Sequence, residues 1–256
     1  MRTLLFGLLI LVTACRRPST QFAAMLSPIG QPADYTRYLK SGDELVAVGS
    51  DPSWSFTVNS SKGQMTFKSA NGDSLTTTVP ERQTDSDGVF RYNAQVESGS
   101  LNVVFRPDSC IDSKTGQRYD YRVQLDVRGK NYIGCGISLQ KLALLQDIWV
   151  LTDFQGRSIS ASGTGREVPR LEISLTEGRV TGTTGCNRLS GNVKADTRLI
   201  QFGPMVMTKM ACADPVGTFE NTFLNALVQP VSYQIAEGKL TLLRNGQQLM
   251  VFKKVD

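Results

Sequence analysis

The sequence lacks histidine altogether, and none of its cysteines stand at a CxxC spacing. Without an imidazole, a thiol nucleophile has no base beside it, and zinc loses its usual nitrogen ligand. The phosphate-loop pattern GxxxxGKS/T is absent as well. We therefore expect no catalytic residues, no metal and no cofactor. A hydrolase stays open as an alternative that a screen of ester and peptidoglycan substrates would test.

A hydrophobic run long enough to span a bilayer is also missing. The apolar stretch near the N-terminus, LLFGLLILV at residues 4–12, has about half of the roughly twenty residues that a membrane-spanning helix needs. It follows the basic Arg2 and precedes small residues, which is typical of a secretory signal peptide. The stretch VTAC at 12–15 resembles a bacterial lipobox, and this predicts cleavage before Cys15 and lipidation of its thiol. The alternative is an ordinary signal peptide that ends near a cysteine by chance.

The residues around the expected cleavage point predict the location. Residues 1–14 form the expected signal peptide, and residues 15–42 mix Pro, Gly, Ser and Gln without a sustained period, as a tether does. Arg16 stands where an Asp would retain a lipoprotein at the inner membrane under the familiar Gram-negative sorting rule. We expect a lipid anchor in the outer membrane, on its periplasmic face. The expected partner is an envelope protein or a lipid, and not nucleic acid.

The remaining cysteines number four once Cys15 is set aside. In an oxidising compartment an even set of cysteines predicts disulfides, here two of them. Three pairings are possible. The order along the chain favours Cys110–Cys135 and Cys186–Cys212, because each pair then lies within its own half of the protein.

Alternation of apolar and polar residues dominates most of the chain. In YDYRVQLDV at 119–127, aromatic and aliphatic residues alternate with polar ones. A period of two predicts a strand with one buried face and one wet face. The stretch RNGQ at 244–247 predicts a tight hairpin between two such strands.

One amphipathic helix interrupts this pattern at residues 214–228. Asp214 is suited to cap it and Pro215 to occupy its first position. The predicted fold class is therefore mainly β, with two antiparallel sheet or barrel-like domains. They cover residues 43–140 and 146–256, and the second contains the inserted helix.

The C-terminal half resembles the META/HslJ domain. The resemblance is carried by TTGCNRLSGNV at 183–193, by TKMAC at 208–212, and by the helix with Glu220. It implies a cracked, strongly curved antiparallel barrel with one helix, similar to type III secretion pilotins. Members are associated with stress tolerance, drug resistance, secretion or motility, and no biochemical activity is established for them. The resemblance implies a non-enzymatic binding or assembly factor, with a protein segment or lipid between helix and sheet.

The N-terminal half resembles an uncharacterised family of bacterial envelope proteins. The similar stretches are GSDPSWSF at 49–56, SCIDSKTGQRY at 109–119 and YIGCG at 132–136. Residues 113–119 are also similar to a loop of small β-barrel lysozyme inhibitors. Inhibition of a lysozyme-type cell-wall lytic enzyme is therefore the alternative function.

The candidate binding residues are few. The glycines and Asn187 in TTGCNRLSG favour a tight structural corner held by Cys186 rather than a catalytic loop. Arg188 and Lys209 are candidates for a small anion site, and Trp54 for stacking a ligand. The alternation in PMVMTKM at 204–210 favours methionines that fill the core over methionines that bind Cu(I).

Overall fold

The computed structural model describes residues 30–97 and 99–255, so the expected signal peptide and Cys15 lie outside the described residues. No helix within these ranges is long and apolar enough to cross a membrane. The helices of the described residues are short: α1 (Thr36–Ser41), α2 (Gln140–Ala143), α3 (Ala161–Thr164) and α4 (Val216–Leu227).

The first part of the described chain forms an open antiparallel sheet. The strands of this part of the chain are β1 (Leu45–Ser50), β2 (Ser53–Asn59), β3 (Gln64–Ser69), β4 (Ser74–Thr78), β5 (Gln83–Thr84), β6 (Phe90–Val96), β7 (Gly99–Arg106), β8 (Cys110–Ile111), β9 (Arg118–Tyr119), β10 (Tyr121–Val127) and β11 (Lys130–Ser138). The order across this half-barrel is β4-β3-β2-β1-β11-β10-β7-β6-β5. The short strands β8 and β9 pair with each other in a separate hairpin.

The second part forms a ring-like antiparallel sheet. Its strands are β12 (Ile148–Phe154), β13 (Arg157–Ser158), β14 (Arg170–Ser174), β15 (Arg179–Thr183), β16 (Arg188–Ala195), β17 (Leu199–Met207), β18 (Val231–Ala236), β19 (Lys239–Arg244) and β20 (Gln247–Lys254). Neighbours pair in sequence order from β14 to β20, and β12 pairs with both β14 and β20, which closes the ring. Helix α4 is inserted between β17 and β18. The mainly β, two-sheet fold class is therefore confirmed.

The predicted strand and hairpin signals have clear structural counterparts. In β10, Val123, Leu125 and Val127 are buried while residues between them are less so. Asn245 and Gly246 both have positive φ and join β19 to β20, as the tight hairpin requires. The helix prediction needs one correction, because α4 begins at Val216 rather than at Pro215. The N-cap position is occupied by Pro215 rather than by Asp214, which precedes it and accepts the Thr218 N–H on its Oδ1 at 3.2 Å.

The two sheets share buried surface because β1 is covered on both faces. Ala47 packs into the core of the first sheet, whereas its neighbour Val46 packs into the core of the second sheet together with Ile137 and Trp149. Alternation along a strand sends adjacent side chains to opposite faces. One strand therefore contributes to both hydrophobic cores.

Polar contacts reinforce this junction. Thr197 donates to Asp120 at 2.8 Å, and the Gln117 amide donates to Asp196 at 3.3 Å. The Tyr233 hydroxyl donates to the Asp196 backbone carbonyl at 2.7 Å. Burial, followed by the charges of Asp196 and Asp120, raises the pKa of Tyr233 well above its usual value. The phenol therefore remains a donor across the physiological pH range.

The shared core predicts that the two sheets unfold together. Trp54 lies in the core of the first sheet and Trp149 in that of the second. We expect a Trp54→Phe variant and a Trp149→Phe variant, each with one tryptophan left, to show in each case a fluorescence transition in urea that coincides with the same variant's far-UV circular dichroism transition. Separated fluorescence and circular dichroism midpoints within either variant would contradict a shared core.

The stretch assigned to a tether from residue 15 to 42 lies partly outside the described residues. Within the described part, Tyr35 is 5% exposed and packs into the core of the second sheet. Helix α1 follows it directly. Because Tyr35 is buried in this core, packed structure begins before residue 43, within the stretch predicted to be a tether.

Candidate functional site

The loop at 183–188 forms a tight corner between β15 and β16. Thr184 and Asn187 bond each other through their backbones, with Thr184 N donating to Asn187 O at 2.8 Å. Gly185 has a φ of 99°, and a Cβ there would collide with the carbonyl oxygens of Thr164 and Glu167. Only glycine fits this position without displacing backbone.

Asn187 is the centre of a buried polar network, which we call the Asn187 corner. Its side-chain oxygen accepts from Thr208 Oγ1 and from Met210 N, both at 2.8 Å. Its amide nitrogen donates to Glu220 Oε2 at 3.0 Å. The side chain therefore ties β16, the end of β17 and α4 together.

Glu220 completes the Asn187 corner from α4. Its side chain is 7% exposed, and its second oxygen accepts from the Thr184 hydroxyl. A buried carboxylate needs donors of this kind to offset its lost hydration. Because both carboxylate oxygens are engaged inside the fold, the corner holds structure together and offers no free acid at the surface.

Two disulfides form in the favoured pairing. Cys110–Cys135 and Cys186–Cys212 have Cα–Cα distances of 5.5 and 6.3 Å. The first joins the β8–β9 hairpin to β11. The second fastens the Asn187 corner to the segment that leads into α4.

An apolar groove of about 540 Å³ lies between α4 and β17. Leu224, Leu227 and Val228 line it from the helix side, and Met205 and Met207 from the strand side. Methionine side chains are flexible and polarisable, so they adapt to differently shaped apolar partners. We call this surface the α4 groove.

Within residues 30–97 and 99–255, one edge of β17 has no strand partner along this groove. Among these residues β17 pairs with β18 only through Leu199 and Ile200, whereas its pairing with β16 continues to Met207. Thr208 N donates to Arg188 O, and ladder bonds alternate between the two edges of a strand. The backbone groups of Met205 and Met207 are therefore directed toward the open edge.

The predicted binding residues lie in separate places. Lys209 lines the α4 groove, whereas Arg188 does not, although its backbone pairs with Thr208. Trp54 is 4% exposed and packs against Phe67 and Tyr132 in the first core. Its side chain therefore exposes little surface, although Trp54 is among the residues that line a cavity on the first sheet. Within the described residues, no group of three or more acidic or cysteine side chains is placed to hold a metal.

Sequence reasoning missed how β17 is used. The alternation in residues 204–210 predicts that the methionines fill the core. In the structure, Met205 and Met207 are only partly buried. Met210 is exposed, and its backbone bonds Asn187. The signal that the sequence does contain is Pro204, since a strand with proline tends to have an unpaired edge.

Known proteins are similar to parts of this chain. An NMR structure of a protein is 23% identical, with 45% of this chain and 94% of that chain covered and a TM-score of 0.37. An NMR structure of a protein from Burkholderia xenovorans is 27% identical, with 45% of this chain and 88% of that chain covered and a TM-score of 0.36. No curated protein matches the chain. The META domain family model matches residues 141–256, so the ring-like sheet, α4 and the Asn187 corner belong to a META domain.

Proposed function

We propose that this protein is a non-enzymatic envelope lipoprotein that binds an extended, apolar segment of another protein in the α4 groove. The observation that carries the proposal is an apolar groove directly beside an unpaired strand edge. Extended peptides bind proteins by adding a strand to such an edge, and pockets beside the edge select alternate side chains. A peptide fits this surface better than a lipid does, because an acyl chain has no backbone amide groups to pair with the open edge of β17.

The lining also defines the chemistry of the segment. Lys209 is the charged residue among those that line the groove, and it follows Met207 at one end. A segment with alternating apolar side chains and an acidic residue toward that end would complement this surface. Attachment through Cys15 to the periplasmic face of the outer membrane would present the groove to envelope proteins. A role in assembly, secretion or stress tolerance fits this placement.

A displayed library of random octapeptides tests the proposal. We expect selection on the protein to enrich extended sequences with alternating apolar residues. Met207→Lys places a charge in the α4 groove and should weaken the selected peptides by about tenfold or more. Calorimetric titration of each peptide gives the comparison.

Val206→Lys is the matched control for this prediction. Val206 is adjacent to Met207 but is 76% exposed and lies on the opposite face of β17. The same new charge there should leave affinity within about twofold. Peptides that bind both variants alike, or sodium laurate binding where no peptide does, would contradict the proposal. A lysozyme inhibition assay tests the alternative function separately.

A further inference from the structure

A second groove lies on the first sheet, between α1 and the outer face of β2 and β3. Two cavities of about 640 and 440 Å³ make up this groove, and they share Arg37, Tyr38, Ser55 and Lys68 as lining residues. The larger continues toward Lys114 in the β8–β9 hairpin, and the smaller toward Lys62 at the turn after β2. We call this elongated surface the α1 groove.

Positive charge is concentrated along the α1 groove. Among residues 30–97 and 99–255, the ion pairs engage none of its four cations, which are Arg37, Lys62, Lys68 and Lys114. Other cations of the same sheet are paired, such as Arg91 with Asp85 and Lys130 with Asp73. The four side chains are spread along the groove rather than focused on one point.

The two carboxylates in the groove already have structural partners. Asp112 Oδ1 accepts from Thr115 N and from Thr115 Oγ1, both at 2.8 Å, and its other oxygen accepts from Ser50. Burial alone would raise the pKa of Asp112, but these hydrogen bonds outweigh it and lower the pKa. Asp43 accepts from Asn59 at 3.2 Å. Neither carboxylate forms an ion pair with the groove cations, although Lys62 lies near enough to Asp43 to favour its charged form. The Lys114 ammonium donates to the Ser50 backbone carbonyl, a neutral partner that leaves its charge uncompensated.

The floor of the α1 groove is rich in hydroxyl groups. Ser55 and Thr57 of β2 and Thr66 of β3 are half-buried on its floor. Tyr38 forms part of the wall, with the Arg37 guanidinium 4.4 Å from the centre of its ring. Hydroxyl groups and an aromatic wall suit the polyhydroxyl surface of a sugar, and spaced cations suit anionic groups along a chain.

We propose that the α1 groove binds an extended saccharide that carries carboxylate or phosphate groups. This site is separate from the α4 groove and would place the protein on an anionic glycan of the envelope. The carboxylate and phosphate sources share one chemistry, an anion on a sugar chain. They differ in charge density, so two probes distinguish them.

The test uses the full chain in detergent, with fluorescent hexagalacturonate and mannopentaose phosphate as probes and neutral maltohexaose as the control. Fluorescence anisotropy should show binding of at least one anionic probe, and weaker binding as salt rises. Lys68→Glu should weaken that binding about tenfold or more. Lys40→Glu, which changes the same charge on exposed α1 outside the groove, should alter it less than about twofold.

Several results would overturn the proposal. They are no binding of either anionic probe, equal binding of maltohexaose, or equal effects of Lys68→Glu and Lys40→Glu. Binding to phosphatidylglycerol vesicles without binding to either saccharide would also overturn it. Met207→Lys should leave saccharide binding unchanged, so failure of the α4 groove proposal and failure of this one remain distinguishable.

Discussion

Asn187→Ala should destabilise the protein by about 3 kcal/mol, which corresponds to a fall of roughly 6–12 °C in Tm for a chain of this size. The substitution removes a donor from the Glu220 carboxylate and an acceptor from Thr208 and Met210. Glu220 is 7% exposed, so its carboxylate keeps the cost of its lost hydration when this donor is removed, whereas Thr208 and Met210 are exposed and can bond water. Urea unfolding followed by circular dichroism measures the change.

Asn192→Ala is the matched control, because Asn192 lies on β16, the strand that follows Asn187, and is exposed. Its effect should stay below about 0.5 kcal/mol. A double-mutant cycle between Asn187→Ala and Glu220→Ala should show a coupling energy of about 1 kcal/mol or more, since the two side chains bond directly. Additive effects would contradict the network as described.

Removing the Cys186–Cys212 disulfide should lower stability by about 3.5 kcal/mol through loop-closure entropy. The comparison is a Cys186→Ser/Cys212→Ser pair in a Cys15→Ser background, which removes the fifth cysteine. Thermal and urea unfolding under non-reducing conditions report the difference. An unchanged Tm would contradict the conclusion that this disulfide stabilises the fold.

Removal of the Cys110–Cys135 bond is an internal control for this prediction. The two sequence separations are 25 and 26 residues, so loop-closure entropy predicts nearly equal losses for the two pairs. Cys212 lies beside the Asn187 corner, with its sulfur 3.2 Å from the Asn187 amide nitrogen, whereas Cys110 joins an exposed hairpin. We therefore expect removal of the Cys186–Cys212 bond to lower the free energy of unfolding by more than removal of the Cys110–Cys135 bond does. Equal losses of stability for the two pairs would mean that the Asn187 corner keeps its structure without the Cys186–Cys212 bond.

Local patterns predicted much of the fold. Period-two alternation at 119–127 and the Asn245-Gly246 turn depend on neighbouring residues alone, so the sequence contains the full signal. The disulfide pairing followed from chain order, and the corner at Cys186 from its glycines and Asn187. These features are set within about thirty residues of chain.

Features that depend on distant contacts were not predictable in the same way. The sequence gives no sign that Val46 and Ala47 serve different cores, because that depends on which surface covers the outer face of β1. The groove cations illustrate the same limit. Arg37, Lys68 and Lys114 are scattered in sequence, and only the packing of α1 and the β8–β9 hairpin on β2 and β3 brings them together.

Backbone amide exchange at Met205 and Met207 tests the central claim most directly. The measurement compares the free protein with its complex with a selected octapeptide, and with the same peptide N-methylated at alternate positions. Strand addition at the open edge of β17 predicts strong protection of both amides by the unmodified peptide and loss of binding on methylation. Unprotected amides in a saturated complex would show that the α4 groove holds its ligand by apolar contact alone, and would contradict the account.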